Sequence, residues 1–316
     1  MPSPGEKAVP TLPSRPDCAE GAIKSRKSSP TRAVHPQRKG NGVWGLRPRN
    51  LLFLLPLLTS CSHPTPTTGI ASLNPCTDAI LAEVAQPRQI AALSAYSRDP
   101  RQTSMDLARA RSLPTTGGTV EELAVLRPAM VLASNMTPPA TRAALARLGI
   151  PLVEFPIATT LSESEAQVRR IAALAGQPAR GEALVARMEA AVRAAAPPAA
   201  RAVPALIWQG GGMVAGQGTL VSELLVRTGF TNFAHTRGLA QAQVLPLERV
   251  LADPPAVILV AGHPRSQEDR LLRHPALAHL RHTRTVPFDP ALEWCGGPTV
   301  IHAAARLAEI RRGVGA

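Results

Sequence analysis

Lysine is missing from most of this chain: its four lysines (Lys7, Lys24, Lys27, Lys39) all lie within the first 39 residues, and the remainder carries arginine instead. The glycine-rich segment Gly210 to Gly218 therefore cannot end in the Gly-Lys-Ser/Thr that a phosphate-cradling loop requires, which excludes a P-loop enzyme. No Gly-x-Ser-x-Gly elbow occurs, and the serines, histidines and acids stand in no recognisable triad context, so no catalytic set is expected. Aromatic residues make up only 3% of the chain, with a single tyrosine, Tyr96. Without basic runs interleaved with aromatics, a nucleic-acid partner is not expected. Long apolar runs are lacking too. The stretch Leu51 to Leu58 has eight residues, whereas a bilayer-spanning helix needs about 20.

That short run follows Arg47 and Arg49, contains Pro56 and ends in Leu58-Thr59-Ser60-Cys61. This is the layout of a secretory signal, with small residues before a cleavage point. LTSC is similar to the bacterial lipobox, which implies lipidation of Cys61, attachment to the membrane through acyl chains alone and residence in the periplasm. Each buried CH₂ contributes about 0.8 kcal/mol to such an anchor. Residues 1–46 are rich in Pro, Ser, Lys and Arg without apolar periodicity, and are expected to be a disordered or non-native leader. The signal peptide then covers 47–60, and a Pro/Thr-rich linker 61–68. Residues 1–60 hold 10 of the 35 basic and 3 of the 22 acidic residues, so setting them aside lowers the formal net charge from +13 to +6. A mildly cationic pocket for an anionic ligand suits that balance.

Beyond the linker, short apolar strands alternate with amphipathic helices, the pattern of a parallel sheet covered by helices. Strands are expected at Gly69 to Leu73, Gln89 to Leu93, Ala129 to Ala133 and Pro151 to Phe155, with helices at Thr77 to Ala85, Thr119 to Leu126 and Pro139 to Leu148. Asn74-Pro75 supplies a cap and a first-turn proline in the favoured order. From Ser162 to about Ala196 the pattern is helical, opened by the capping-box spacing of Ser162 and Glu165. Gly176-Gln177-Pro178 should kink or split it. Strands return at Val203 to Trp208 and Ala256 to Val260, with helices at Leu220 to Thr228, Leu247 to Ala252 and Thr299 to Arg311. The expected fold is α/β: two Rossmann-like lobes (69–160 and 198–316), each with a mainly parallel sheet, joined by one long rigid helix (161–197).

With those elements placed, the segments ASLNPCTDAI (71–80), IAALSAYSRDP (90–100), GGTVEELAVLRPAMVLAS (117–134) and LPLERVLADPPAVILVAG (245–262) together resemble the class III periplasmic substrate-binding proteins. That family delivers ferric siderophores, haem and cobalamin to ABC importers. The resemblance implies a monomer without a cofactor of its own, a metal-chelate ligand, and an ABC permease and its ATPase as partners. It also implies that surface glutamates, here Glu121 and Glu248, meet arginines of the permease. Each stands seven residues before a proline that precedes a strand, Pro128 and Pro255. The alternative for both is a helix N-terminal acid favoured only by the macrodipole. A lipid-anchored sensor or interaction module on the same fold is the second functional reading.

Ligands of open α/β sheets bind beyond the carboxyl ends of the strands. The candidates at those ends are Asn74, Tyr96, Arg98, Asn135, Thr137, Trp208, Gln209, His263 and Trp294. Tyr96 is either a pocket residue or a half-buried amphipathic one, and Arg98 either pairs with an anionic group or is solvated. The glycines after Gln209 serve a ligand or only a turn. Tryptophans that cobalamin-binding relatives place around the corrin ring correspond to Thr116, Ser134 and Ala242, so that cage is missing, which weakens cobalamin specifically and leaves the metal-chelate class standing. No free-metal site is expected: His279-x-x-His282 sits beside Arg281 and Arg284 and reads as solvated. Cys76 and Cys295 are expected to stay unpaired, since a bond between lobes needs Cα atoms within about 7 Å; a disulfide is the alternative.

Overall fold

The computed structural model describes residues 69–198, 201–262 and 268–314. The leader, the signal peptide, the linker with Cys61, and His263 lie outside the described residues. The first lobe is built from β1 (Ile70–Ser72), α1 (Pro75–Val84), β2 (Ile90–Ser94), α2 (Leu107–Arg111), β3 (Thr115–Thr116), α3 (Val120–Leu126), β4 (Met130–Ser134), α4 (Pro139–Arg147) and β5 (Leu152–Phe155). Its five strands are all parallel, in the order β3-β2-β1-β4-β5. Two further helices, α5 (Leu161–Leu174) and α6 (Pro178–Ala195), lead to the second lobe. That lobe holds β6 (Val203–Gln209), β7 (Met213–Ala215), α7 (Leu220–Arg227), β8 (Phe230–Asn232), β9 (Gln241–Val244), α8 (Leu247–Ala252), β10 (Val257–Ala261), β11 (Arg284–Pro287) and α9 (Thr299–Val314).

The second sheet runs β11-β10-β6-β7-β9, with β8 also on β6. Pairs β6-β8, β6-β10 and β10-β11 are parallel, whereas β6-β7 and β7-β9 are antiparallel. The strand triplets β1-β4-β5 and β6-β10-β11 repeat the same parallel arrangement, so the two lobes share a common half.

Local chemistry explains many of the boundaries. Asn74 caps α1, its Oδ1 accepting from the Cys76 N–H at 2.8 Å, and Pro75 occupies the first turn. Thr119 caps α3 by accepting from the Glu122 N–H at 3.2 Å, and Arg127 ends that helix in the left-handed region before Pro128. The cap of α5 is Thr160 rather than Ser162: its hydroxyl accepts from the Glu163 N–H at 3.1 Å, and the Glu163 carboxylate accepts from the Thr159 N–H and hydroxyl. The spacing rule was satisfied two residues earlier, where the chain leaves its extended conformation.

The single connecting helix is replaced by a hairpin. The break falls where Gly176-Gln177-Pro178 was expected to split the helix, but α6 then folds back along α5. Arg169 pairs with Glu182 across the turn at 3.0 Å, while Leu161 and Ser162 share a groove with Met188 and Val192 at the far end. Apolar residues on the facing stripes (Val168, Ile171, Leu184, Met188) are buried in a core that also contains Ile80 and Leu81 of the first lobe and Leu307 of the second.

Cys76 and Cys295 are bonded, contrary to the expectation of free thiols. Their Cα atoms lie 4.9 Å apart because the turn before α9 docks on the start of α1. Gly297 makes this approach feasible: a Cβ there would stand 2.4 Å from the Ile80 side chain. The Gly297 N–H also donates to Ser164 Oγ at 2.7 Å, and the Ser104 and Thr299 hydroxyls share a hydrogen bond of 2.6 Å. The disulfide closes a long loop, with 219 residues of sequence separation. Replacing both cysteines by serine is expected to cost about 2–5 kcal/mol, read as a lower urea midpoint for the domain; an unchanged midpoint would show that the hairpin alone sets the stability.

Candidate ligand-binding cleft

In each sheet one strand is flanked by neighbours reached in opposite directions, β1 between β2 and β4, and β6 between β10 and β7. The crevice for a ligand opens beyond the carboxyl end of such a strand. At β1 this places Asn74, and at β6 Gln209. A pocket is found at the second of these, where the lobes meet. Its wall includes Ile157, Ala158 and Thr159 from the end of the first lobe, and Gln209, Glu293 and Trp294 from the second. Trp294 is 43% exposed, a large apolar surface left open at the pocket. The disulfide fixes the residue next to it, so the tryptophan is held at the lobe junction by a covalent bond.

Of the sequence-based candidates, the structure brings Gln209 and Trp294 together in this pocket. Asn74 lies at the same junction, two residues before Cys76, but its side-chain oxygen is used as the α1 cap. Tyr96 is exposed on the turn after β2. Arg98, on the same turn, donates to the Leu113 carbonyl at 2.9 Å. Asn135 is exposed after β4, its carbonyl accepting from Arg142 at 2.6 Å, and the Thr137 hydroxyl donates to the Ser134 carbonyl at 2.6 Å. Neither lines the pocket.

Trp208 is not at the cleft. It is fully buried, packed with Leu206, Val214, Phe233 and Leu245, and its indole N–H donates to the Leu245 carbonyl at 3.3 Å. Side chains alternate along a strand, so Leu206 and Trp208 face one core cluster while Ala205 and Ile207 face another. The glycines that follow make the tight turn into β7: Gly211 and Gly212 have φ of 69° and 83°, and a Cβ on Gly212 would meet the Leu271 side chain at 2.9 Å. They serve packing and the turn.

Sequence reasoning missed Glu293, which is buried beside Gln209 in the pocket wall. It also missed Asp78, buried in α1 below the Tyr96 turn. Asp78 Oδ2 accepts from the Ser94 N–H at 3.0 Å, from the Ser97 hydroxyl at 2.5 Å and from the Ser94 hydroxyl. These bonds tie the turn that carries Tyr96 and Arg98 to α1. Burial, offset in part by the serine hydrogen bonds, pushes the Asp78 carboxyl up to about 7. An acid within an otherwise helical apolar face was the available signal.

Among the described residues, no group of three or more His, Cys, Asp or Glu could hold a metal ion, and no helix is long and apolar enough to cross a membrane. His279 and His282 are both exposed.

Two α/β lobes, a helical hairpin between them and a pocket at the carboxyl ends of the strands define a two-lobe ligand-binding protein. The chain belongs to the periplasmic binding protein family, whose model matches residues 70–285. Its fold is similar to that of the periplasmic heme-binding protein RhuT from Roseiflexus sp. RS-1, with 25% identity, a TM-score of 0.65 and coverage of 79% of this chain and 100% of that one. The periplasmic vitamin B12 binding protein BtuF of Vibrio cholerae shares the fold at 18% identity and a TM-score of 0.59, covering 79% and 98% of the two chains. A periplasmic heme-binding protein from Pseudomonas aeruginosa does so at 22% and 0.62, covering 77% and 92%. No curated protein sequence matches the chain. The family places the chain in the periplasm, an oxidising compartment in which a disulfide persists.

The buried Asp78 gives the domain a pH dependence of defined sign. Its folded pKa is raised from 3.8 to about 7, so the fold holds this proton more tightly than the unfolded chain does. The associated stability is complete below pH about 4 and is lost as the pH rises toward 7. Urea denaturation of wild type and Asp78→Asn at several pH values should show the variant gaining on wild type by several kcal/mol across that window. A difference that does not change with pH would mean that Asp78 is ionised in the fold.

Proposed function

We propose that this chain is the substrate-binding component of an ABC importer. In this reading Cys61 carries the lipid anchor, and the lobes capture a metal chelate of the iron-siderophore, haem or cobalamin type and pass it to the permease, whose ATPase drives uptake. The observation that carries the proposal is the exposed face of Trp294 at the lobe junction of a chain belonging to this family; the pocket beneath it, about 20 Å³, has room for about one water, so a chelate would lie over the indole rather than inside that pocket. The names of the structural neighbours, which bind heme and vitamin B12, support the ligand class. A half-exposed indole offers a flat apolar face to a macrocycle or to an aromatic chelating group.

Removing that face should weaken capture. Trp294→Ala is expected to raise the Kd for the best of haem, ferric siderophores and corrinoids by about five- to thirty-fold, the loss of 1–2 kcal/mol common for a tryptophan anchor. Trp208, sealed in the core, remains as the fluorophore for the titration. An affinity equal to wild type would place binding away from this pocket.

Delivery rests on Glu121 and Glu248. They occupy equivalent places, each the second residue of a helix leading into the strand beside the central one (α3 into β4, α8 into β10), and both are exposed. Glu122 is engaged locally instead: the Thr116 hydroxyl and Gly117 N–H donate to its Oε2 at 2.5 and 2.7 Å, which holds its carboxyl below the usual range. Rim charges of this kind govern the encounter with a partner. The double change of Glu121 and Glu248 to Ala should impair uptake by cells while leaving chelate affinity of the isolated protein intact. Loss of affinity would assign the acids to the cleft, and unchanged uptake would assign docking to other groups.

A further inference from the structure

The segment Trp294-Cys295-Gly296-Gly297-Pro298 belongs to the second lobe by its place in the chain but is seated on the first. Cys295 is bonded to Cys76 at the start of α1, and Cys76 Sγ lies 3.8 Å from the Trp294 carbonyl oxygen. Further along, the Gly297 N–H donates to Ser164 of α5 at 2.7 Å, and Thr299 shares a hydrogen bond with Ser104. On the other side of the tryptophan, Glu293 is buried and accepts from Gln209 at the end of β6. The indole is half-exposed, so its place is set more by the backbone that carries it than by packing around it. Two glycines follow Cys295 and leave that backbone free to turn, and Pro298 has no N–H to tie it down. The nearest link between Trp294 and the first lobe is therefore the disulfide on the next residue.

Across the junction stands Ile157, an exposed apolar residue at the end of the first lobe that borders the same opening as Trp294. None of the described residues lining that opening is Lys, Arg or His, so the mildly cationic pocket expected from composition is not found here. What this face offers is apolar surface, one large residue from each lobe. We infer that the Cys76–Cys295 bond is a positioning element for ligand capture: it sets where the Trp294 face stands relative to Ile157 and the first lobe. A side chain placed in advance by a covalent bond does not have to be ordered when the ligand arrives, and affinity gains accordingly. The inference rests on the chelate-capture reading and adds to it the two residues that place its aromatic anchor. It differs from the stabilising effect of the bond, which acts through the unfolded chain and is the same whether or not residue 294 is a tryptophan.

A double-mutant cycle separates the two effects. Kd for haem, ferrichrome and cyanocobalamin is measured, well below the melting temperature of every variant, for wild type, for Trp294→Ala, for the pair Cys76→Ser and Cys295→Ser, and for all three changes together. For a probe that binds wild type, loss of the bond should raise Kd about three- to tenfold with Trp294 present, and less than about twofold when Trp294 is already alanine. A bond with a structural role alone lowers the melting temperature in both backgrounds and leaves Kd unchanged. Equal Kd with and without the bond, or the same loss in both backgrounds, overturns the positioning role and leaves chelate capture standing. If the serine pair does not fold, protein reduced with dithiothreitol, capped with iodoacetamide and freed of both reagents takes its place. A chain that unfolds in that form too makes the bond a requirement of folding, which also overturns the inference. Failure of all three probes on wild type overturns the chelate reading, and the positioning role with it.

Discussion

Val168, Ile171, Leu184 and Met188 on the facing stripes of α5 and α6 are buried in one apolar core with α1 on one side and α9 on the other. Each such side chain contributes about 1.5–3 kcal/mol when removed from water. Neither lobe can swing away without exposing part of that hairpin. The disulfide reinforces the constraint on the cleft side, where it binds the opening of α1 to the turn that carries Glu293 and Trp294. A further hydrogen bond, from the Leu161 N–H to Glu223 at 2.8 Å, joins the start of α5 to α7. The lobe angle is thus fixed by packing, by polar contacts and by a covalent bond, and the pocket inherits its geometry from all three.

A fixed cleft changes how binding energy is used. Little ordering of the two lobes remains to be offset on association, so contacts at the pocket convert more fully into affinity. Buried acids add a second theme. Asp78 and Glu293 both have carboxyl groups raised by burial, and both keep an oxygen without a partner. Asp78 organises a turn of the first lobe through three serine donor groups, whereas Glu293 has a single amide partner in the second. The Glu293 contact joins the end of β6 to the turn before α9.

Features set by neighbouring residues were legible in the chain before any coordinates. Asn74-Pro75 marked the start of α1, Gly176-Gln177-Pro178 the break between α5 and α6, and the repeated helix-proline-strand pattern placed Glu121 and Glu248 in equivalent helices. These signals act within one turn of helix or one tight turn of backbone, so local chemistry is enough to decide them. The resemblance to a binding-protein family was readable for the same reason, because it lay in the order of such segments. Tertiary structure decided the rest. Every residue from Ala205 to Trp208 is apolar, so the sequence could not say which face of β6 met which core, and Trp208 went inward. The direction of α6, the bond between Cys76 and Cys295, and the pairing of Gln209 with Glu293 all depend on how residues far apart in the chain meet. Only packing of the two lobes around the hairpin brings those groups within reach, and no local pattern encodes that distance.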